Sequence, residues 1–305
     1  MAADTRSYVS GSYGLILEGK PAGFLKSVNG GAISAEVINE KNGPGDLFGR
    51  KHIGGPIYED FSVDFGFSMD PSLYQWIADN WAMKWTRKSG AIVAYDFDLQ
   101  AKVEREFFDA VIRETVIPTL DGASKEPAYL RVKFSPELIR TKKGSGKGTA
   151  TKSTVKPFLP NNFKLTIDGL DCTKVNKIES FTIKQQISDD IVGEARDYHK
   201  VPSGLEFPNL KISFAQTTAQ PWLDWFEDFV IKGNSSEEKE KNGTLTFLAP
   251  NLKDELGTIV FHKLGIFRIS EDPAASNTEK IHRMTAELYC ESMEFHVPAK
   301  GGGGK

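Results

Sequence analysis

Gly144-Ser145-Gly146-Lys147-Gly148-Thr149 is the one stretch of this 305-residue chain that looks shaped to hold a phosphate. A phosphate-cradling loop needs a further glycine five residues ahead of its Gly-Lys pair, with a strand before it and a helix after it. Backbone amides and a helix N-terminus then converge on the anion. Here Thr141 stands where that glycine belongs, and Thr151-Lys-Ser-Thr-Val-Lys-Pro157 is poor helix material. Linker composition explains the glycines and lysine better than nucleotide binding does. The five histidines, His52, His199, His262, His282 and His296, have no neighbouring His or Cys at metal-ligand spacing. His52 and His199 read as near-equivalent structural positions. Carboxylates alternate with bases, as in Lys102-Val-Glu104-Arg105-Glu106, which suits a solvated or inter-subunit strand face rather than an acid–base pair. Neither a Gly-x-Ser-x-Gly elbow nor a Cys–His pair can be drawn from the spacing. The expectation is therefore no enzyme, no cofactor and no metal.

Composition narrows the classes further. A net charge of −3 argues against a dedicated nucleic-acid binder. Residues 1–140 carry 16 basic and 19 acidic groups and residues 159–305 carry 17 and 22, so neither half is a basic module. No apolar run approaches the roughly 18 residues of a membrane span, and the polar N-terminus leads us to expect no signal peptide. The two cysteines, Cys172 and Cys290, read as free thiols, which fits a cytoplasmic origin.

The elements that would position any site come in two copies. Gly14-Leu-Ile-Leu-Glu-Gly19 returns as Lys164-Leu-Thr-Ile-Asp-Gly169, Phe61-Ser-Val-Asp-Phe65 as Leu210-Lys-Ile-Ser-Phe214, and Leu73-Tyr-Gln-Trp76 as Trp222-Leu-Asp-Trp225. An offset of about 150 residues is one whole domain rather than a solenoid repeat. The expected organisation is one domain over 1–140, a flexible basic linker over 141–158, a second domain over 159–298 and a loose tail over 299–305. Eighteen flexible residues would span about 23 Å.

Within each copy the dominant period is two, the mark of strands with one buried face. Phe61, Val63 and Phe65 alternate with polar residues, as do Leu210, Ile212 and Phe214. Val93, Tyr95 and Phe97 read as a further strand matched by Leu245 and Phe247, and Leu130–Phe134 as one matched by Met284–Leu288. One helix interrupts each copy. Asp70 can cap it and Pro71 suits its first turn, with Leu73, Trp76, Ile77 and Trp81 as a seam; Pro221 opens the other, with Trp222, Trp225, Phe226 and Phe229. The expectation is a mainly β chain of two similar antiparallel β-sandwich or barrel domains, each with one short flanking helix.

The copies diverge in two loops, Asn39–Lys51 and the more acidic Ser188–Tyr198. Long loops in compact domains often carry function. Asn42, Asp46, Phe48 and Arg50 in the first, and Asp189, Asp190, Glu194 and Arg196 in the second, are the candidate inter-subunit or inter-ring contacts.

The order of elements resembles the inner tail-tube proteins of contractile phages and contractile injection systems. An opening hairpin ends in Glu/Asp-Gly, a long charged loop follows, and an aromatic strand (Tyr58–Phe67, Leu205–Phe214) runs into a helix (Pro71–Trp81, Pro221–Phe229). The resemblance covers nearly the whole chain twice. It implies β-barrel-like domains in sixfold rings that stack into a tube for DNA or effector proteins. With two such domains per chain, it implies that three chains make one pseudo-sixfold ring, either a tube subunit or a specialised hub or end ring. Expected partners are further copies of the chain and neighbouring tube, hub, spike, sheath or baseplate proteins, in the cytoplasm or in a phage-like particle, with no specific nucleic-acid recognition. The alternative is a soluble two-domain β binding module for carbohydrate or protein, with Trp81 or Trp85 as platforms.

Overall fold

A computed structural model describes residues 11–40, 43, 49–148, 158–190, 197–272 and 282–297. The chain is mainly β, with antiparallel sheets forming a half-barrel. In the first half, β1 (Ser12–Leu17) and β2 (Lys20–Leu25) precede β3 (Ser27–Gly30). A long hairpin of β4 (Ile33–Glu40) and β5 (Arg50–Tyr58) follows, then β6 (Phe61–Phe65) and α1 (Pro71–Trp81). β7 (Lys88–Tyr95), β8 (Ala101–Ile117), β9 (Leu120–Asp121), β10 (Leu130–Ser135) and β11 (Leu138–Lys143) complete it. The second half holds β12 (Phe163–Ile167), β13 (Val175–Ile178), the hairpin β14 (Phe181–Asp190) and β15 (His199–Glu206), and β16 (Leu210–Ala215). After these come α2 (Gln220–Phe226), β17 (Lys241–Leu248), β18 (Glu255–Glu271) and β19 (Arg283–His296).

The two large sheets have comparable strand orders. One sheet runs β2-β1-β7-β8-β10-β6-β3 and the other β12-β17-β18-β19-β16-β13-β9. Six strands follow the same path in each. Registers agree residue by residue: Leu15 faces Ile92 as Leu165 faces Leu245, and Gly90 faces Phe107 as Gly243 faces Phe261. Phe134 faces Ile112 as Leu288 faces Ile266, and an extra residue, Arg113 or Phe267, then bulges from each long strand. Glycine is required opposite the ring, because a Cβ on Gly90 would stand 2.7 Å from Phe107 and closer still to the Ile16 carbonyl.

The helices form for the reasons the sequence offered. The Asp70 carboxylate accepts from the Ser72 amide at 3.0 Å and Pro71 opens the first turn. Leu73, Trp76, Ile77 and Trp81 are buried, and Trp76 packs on Phe134 with centroids 5.6 Å apart. α2 has no side-chain cap and passes into a π-helical turn at Glu227–Ile231. Burial holds it: Trp222 stacks on Phe214 at 4.5 Å, Trp225 and Phe229 are buried, and Phe226 is half-buried.

Four expectations need correction. The chain does not go slack at Thr141, since β11 runs to Lys143 and Gly148 still bonds back to Leu99. Phe158, at the other end of the expected linker, is buried between Phe67 and Phe247 at 5.3 and 5.4 Å. The strand match at Val93, Tyr95 and Phe97 is one residue out: Leu245 corresponds to Ile92, β7 ends at Tyr95, and Phe97 is exposed. His52 lies opposite Ile38 whereas His199 lies opposite Asp190, so the residue in the place of His199 is Arg50. Trp81 is buried and offers no ligand platform, although Trp85 is exposed.

Candidate functional site

The feature that departs from two self-contained sheets is a seam. The β14–β15 hairpin leaves its own sheet and adds β14 to the free side of β8, with Phe181 opposite Ile117, Ile183 opposite Thr115 and Lys184 opposite Glu114. A hairpin laid on an exposed edge gains both main-chain hydrogen bonds and side-chain pockets. Ile183 and Thr115 are accordingly 1% and 2% exposed. A second, shorter contact pairs β13 with β9 through Lys177 and Ile178.

Glu137 anchors the hairpin's far end. Its Oε1 accepts the Lys200 amide at 2.8 Å and its Oε2 lies 3.0 Å from His199 Nδ1. Arg87 Nε is 3.4 Å from the same carboxylate, and its Nη2 donates to the Lys200 carbonyl at 2.7 Å. A buried carboxylate is tolerable only with such partners. Asn80 of α1 reaches Gln185 at 3.4 Å, and Tyr58 of the first hairpin donates to Asp197 at 2.9 Å. Around these polar links the seam is aromatic: Trp81 and Tyr74 contact Phe295, and Phe67 contacts Phe247.

The β4–β5 hairpin is the counterpart of β14–β15, with the same pairing and the same bulge. Ala35 faces Pro56 as Gln185 faces Leu205, and Val37 faces Ile53 as Ile187 faces Pro202. Yet among the described residues β4 pairs only with β5, and every residue of β4 is exposed. Ile33, Val37, Ile38, Ile53 and Ile57 all remain exposed.

The candidate contact residues fall on these two hairpins. Arg50 opens β5 and is exposed; Asp189 and Asp190 end β14, also exposed, and Asp189 pairs with Lys200 at 2.5 Å. Asn42, Asp46, Phe48, Glu194 and Arg196 lie outside the described residues. Paired strand reaches into the ends of both divergent loops, at Asn39, Glu40, Arg50 and Lys51 in the first and at Ser188 to Asp190 in the second. Reading them as loops missed Glu137, Arg87 and Lys200. The available signal was the alternation Ile33, Ala35, Val37 beside Ile53 and Ile57.

The other motifs find ordinary roles. Gly144 and Gly148 amides donate to the Lys102 and Leu99 carbonyls at 2.9 and 2.7 Å, so the glycine-rich turn spends its donors on a strand edge. His262 and His296 both lie near the Glu294 carboxylate, at 3.2 and 3.1 Å. Burial pushes the Cys172 thiol up to about 11 and the Cys290 thiol up to about 12, so both stay protonated at neutral pH. Glu104 and Glu106 share Lys142, while Arg105 turns to the other face, donates to the Gly30 carbonyl at 2.8 Å and lies over Phe61.

No family model and no curated protein matches the chain. Solved structures do. A sheath/tube terminator chain of the extracellular contractile injection system PVC is 16% identical, with a TM-score of 0.39, covering 46% of this chain and 99% of its own. A chain of the anti-feeding prophage (AFP) baseplate is 13% identical, TM-score 0.34, covering 44% and 91%. Hcp1 from Flavobacterium johnsoniae is 14% identical, TM-score 0.27, covering 47% and 95%.

Proposed function

We propose that this chain is a structural, ring-forming component of a phage-like contractile tail or injection system. Three chains would place six tube-like units around a lumen. The observation that carries this reading is the seam. Two units with the same strand path meet head to tail, the hairpin of one on the long strand of the other. A head-to-tail contact between like units closes into a ring when its rotation divides a full turn, and otherwise runs on as a helix. The tandem organisation and the tail-tube resemblance set the expected number at six units.

Each unit would have neighbours on two sides, and fusion in pairs lets alternate places differ. The aromatic, buried seam inside the chain and the exposed hairpin outside it fit that asymmetry. A terminal or hub ring, which must match unlike neighbours, gains more from it than a uniform tube does. The binding-module alternative loses the Trp81 platform and keeps only Trp85.

Mass photometry should show a species at three times the 33.8 kDa chain, and negative-stain images should show six-lobed rings. A protein that stays monomeric at high concentration would sink the proposal.

A further inference from the structure

The seam inside the chain is a template, and its second copy is vacant on both sides. The donor is the β4–β5 hairpin. Ala32 spends its carbonyl on the Glu59 amide and its own amide on the Glu59 carboxylate, so by strand alternation the outward-facing backbone groups belong to Ile33. Ile33 occupies the place of Ile183, as the shared hairpin register shows. It is 49% exposed, against 1% for Ile183. The acceptor is the end of β18. Residues Arg268–Glu271 correspond to Glu114–Ile117, the stretch of β8 that receives β14, and among the described residues they pair only with β19. Phe267, the bulged residue beside them, is exposed, as are Val230 and Ile231 at the end of the second helix.

Charge points the same way. Leu138 faces Phe108 as Ser292 faces His262, so Glu291 stands where Glu137 stands in the first half. Glu137 is buried under the docked hairpin; Glu291 is exposed and pairs with Lys263 at 3.1 Å. Glu240, one residue before β17, takes the place of Arg87. The hairpin residues that would arrive there are Arg50 and Lys51, in the places of His199 and Lys200. Two cations would therefore meet two carboxylates.

We infer that the β4–β5 hairpin of one chain docks on the β18 edge of a second copy, with Ile33 opposite Ile269, Ser34 opposite Arg268, and Arg50 and Lys51 beside Glu291 and Glu240. This deepens the ring reading and rests on it: the docking repeats the in-chain seam between chains. The equivalents of the aromatic seam residues Phe67, Phe247 and Phe295 are Gln216, Ala94 and Thr141, so the contact between chains is the more polar and the more separable one.

The test mixes two preparations, Ile33→Cys and Ile269→Cys, under mild oxidation and identifies linked peptides by mass spectrometry. A disulfide between positions 33 and 269 of different chains is expected. Glu291→Arg should lower its yield severalfold, and pairing that chain with Lys51→Glu on the donor should restore it. Rings or oligomers that form without the 33–269 link would overturn this docking while leaving the ring reading standing. A wild-type protein that never self-associates would overturn both.

Discussion

At the scale of single residues, the chain's chemistry is that of holding its own parts. The Tyr74 hydroxyl donates to the Gly66 carbonyl at 2.7 Å and accepts the Met69 amide at 3.0 Å, and burial raises its ionisation well above the usual phenol range. Tyr74→Phe leaves the ring in place and strands two buried backbone groups. It should lower unfolding stability by about 1–2 kcal/mol in urea titration without moving α1. The thiols report on pH. Because burial raises both, the unfolded chain releases those protons first. Their contribution to stability is whole below about pH 8.5 and is lost as pH rises toward 11–12. Alkylation of native protein at pH 8 should accordingly be far slower than in denaturant, and equal rates would refute the burial. At the acid end, burial raises Asp64, but hydrogen bonds from Arg131 and Ser27 outweigh it and hold the carboxyl low. That contribution is present above the ordinary carboxylate range and fades as pH falls below it.

At the scale of elements, local signals and tertiary contacts part company. The Asp70–Pro71 start, the Trp76 and Trp222 seams and the alternation at Phe61–Phe65 and Leu210–Phe214 were all legible, because capping and burial periodicity are local properties. What misled was equally local. At β7 both Ile92 and Val93 are buried, so alternation gave no unique face and the match slipped by one. At the ends of 39–51 and 188–198, charges hide strand residues such as Glu40, Arg50 and Asp190. Trp222→Ala should cost about 3–5 kcal/mol in denaturant titration, since the helix it anchors has no side-chain cap to fall back on. A sharper experiment uses the paired glutamates. Glu137→Gln should destabilise the monomer by about 1–3 kcal/mol, because it disturbs a buried carboxylate with three partners. Glu291→Gln, the same change at the matching place, should stay within about 0.5 kcal/mol in chemical denaturation.

Across the whole molecule, the two halves share one connected apolar core, in which Phe158 from the connecting segment takes part. The pair should therefore unfold together, in a single transition by both fluorescence and circular dichroism. The contact proposed between chains is built from isoleucines, the exposed ions Arg50, Lys51 and Glu291 and the half-buried Glu240, so it should weaken with dilution and with salt while the monomer's own unfolding midpoint barely moves. Sedimentation at two ionic strengths would separate those behaviours.

By itself the sequence determined that this chain is mainly β, where its first helix begins and which residues form the buried seams of both helices. Those properties follow from local spacing and composition. Only the tertiary structure decided which hairpin is docked and which is bare. Glu137 and Glu291, like Ile183 and Ile33, occupy matching places with opposite burial. Burial at such a position is set by what lies across a sheet edge, and strand pairing over long separations leaves no periodic trace in the residues that make it.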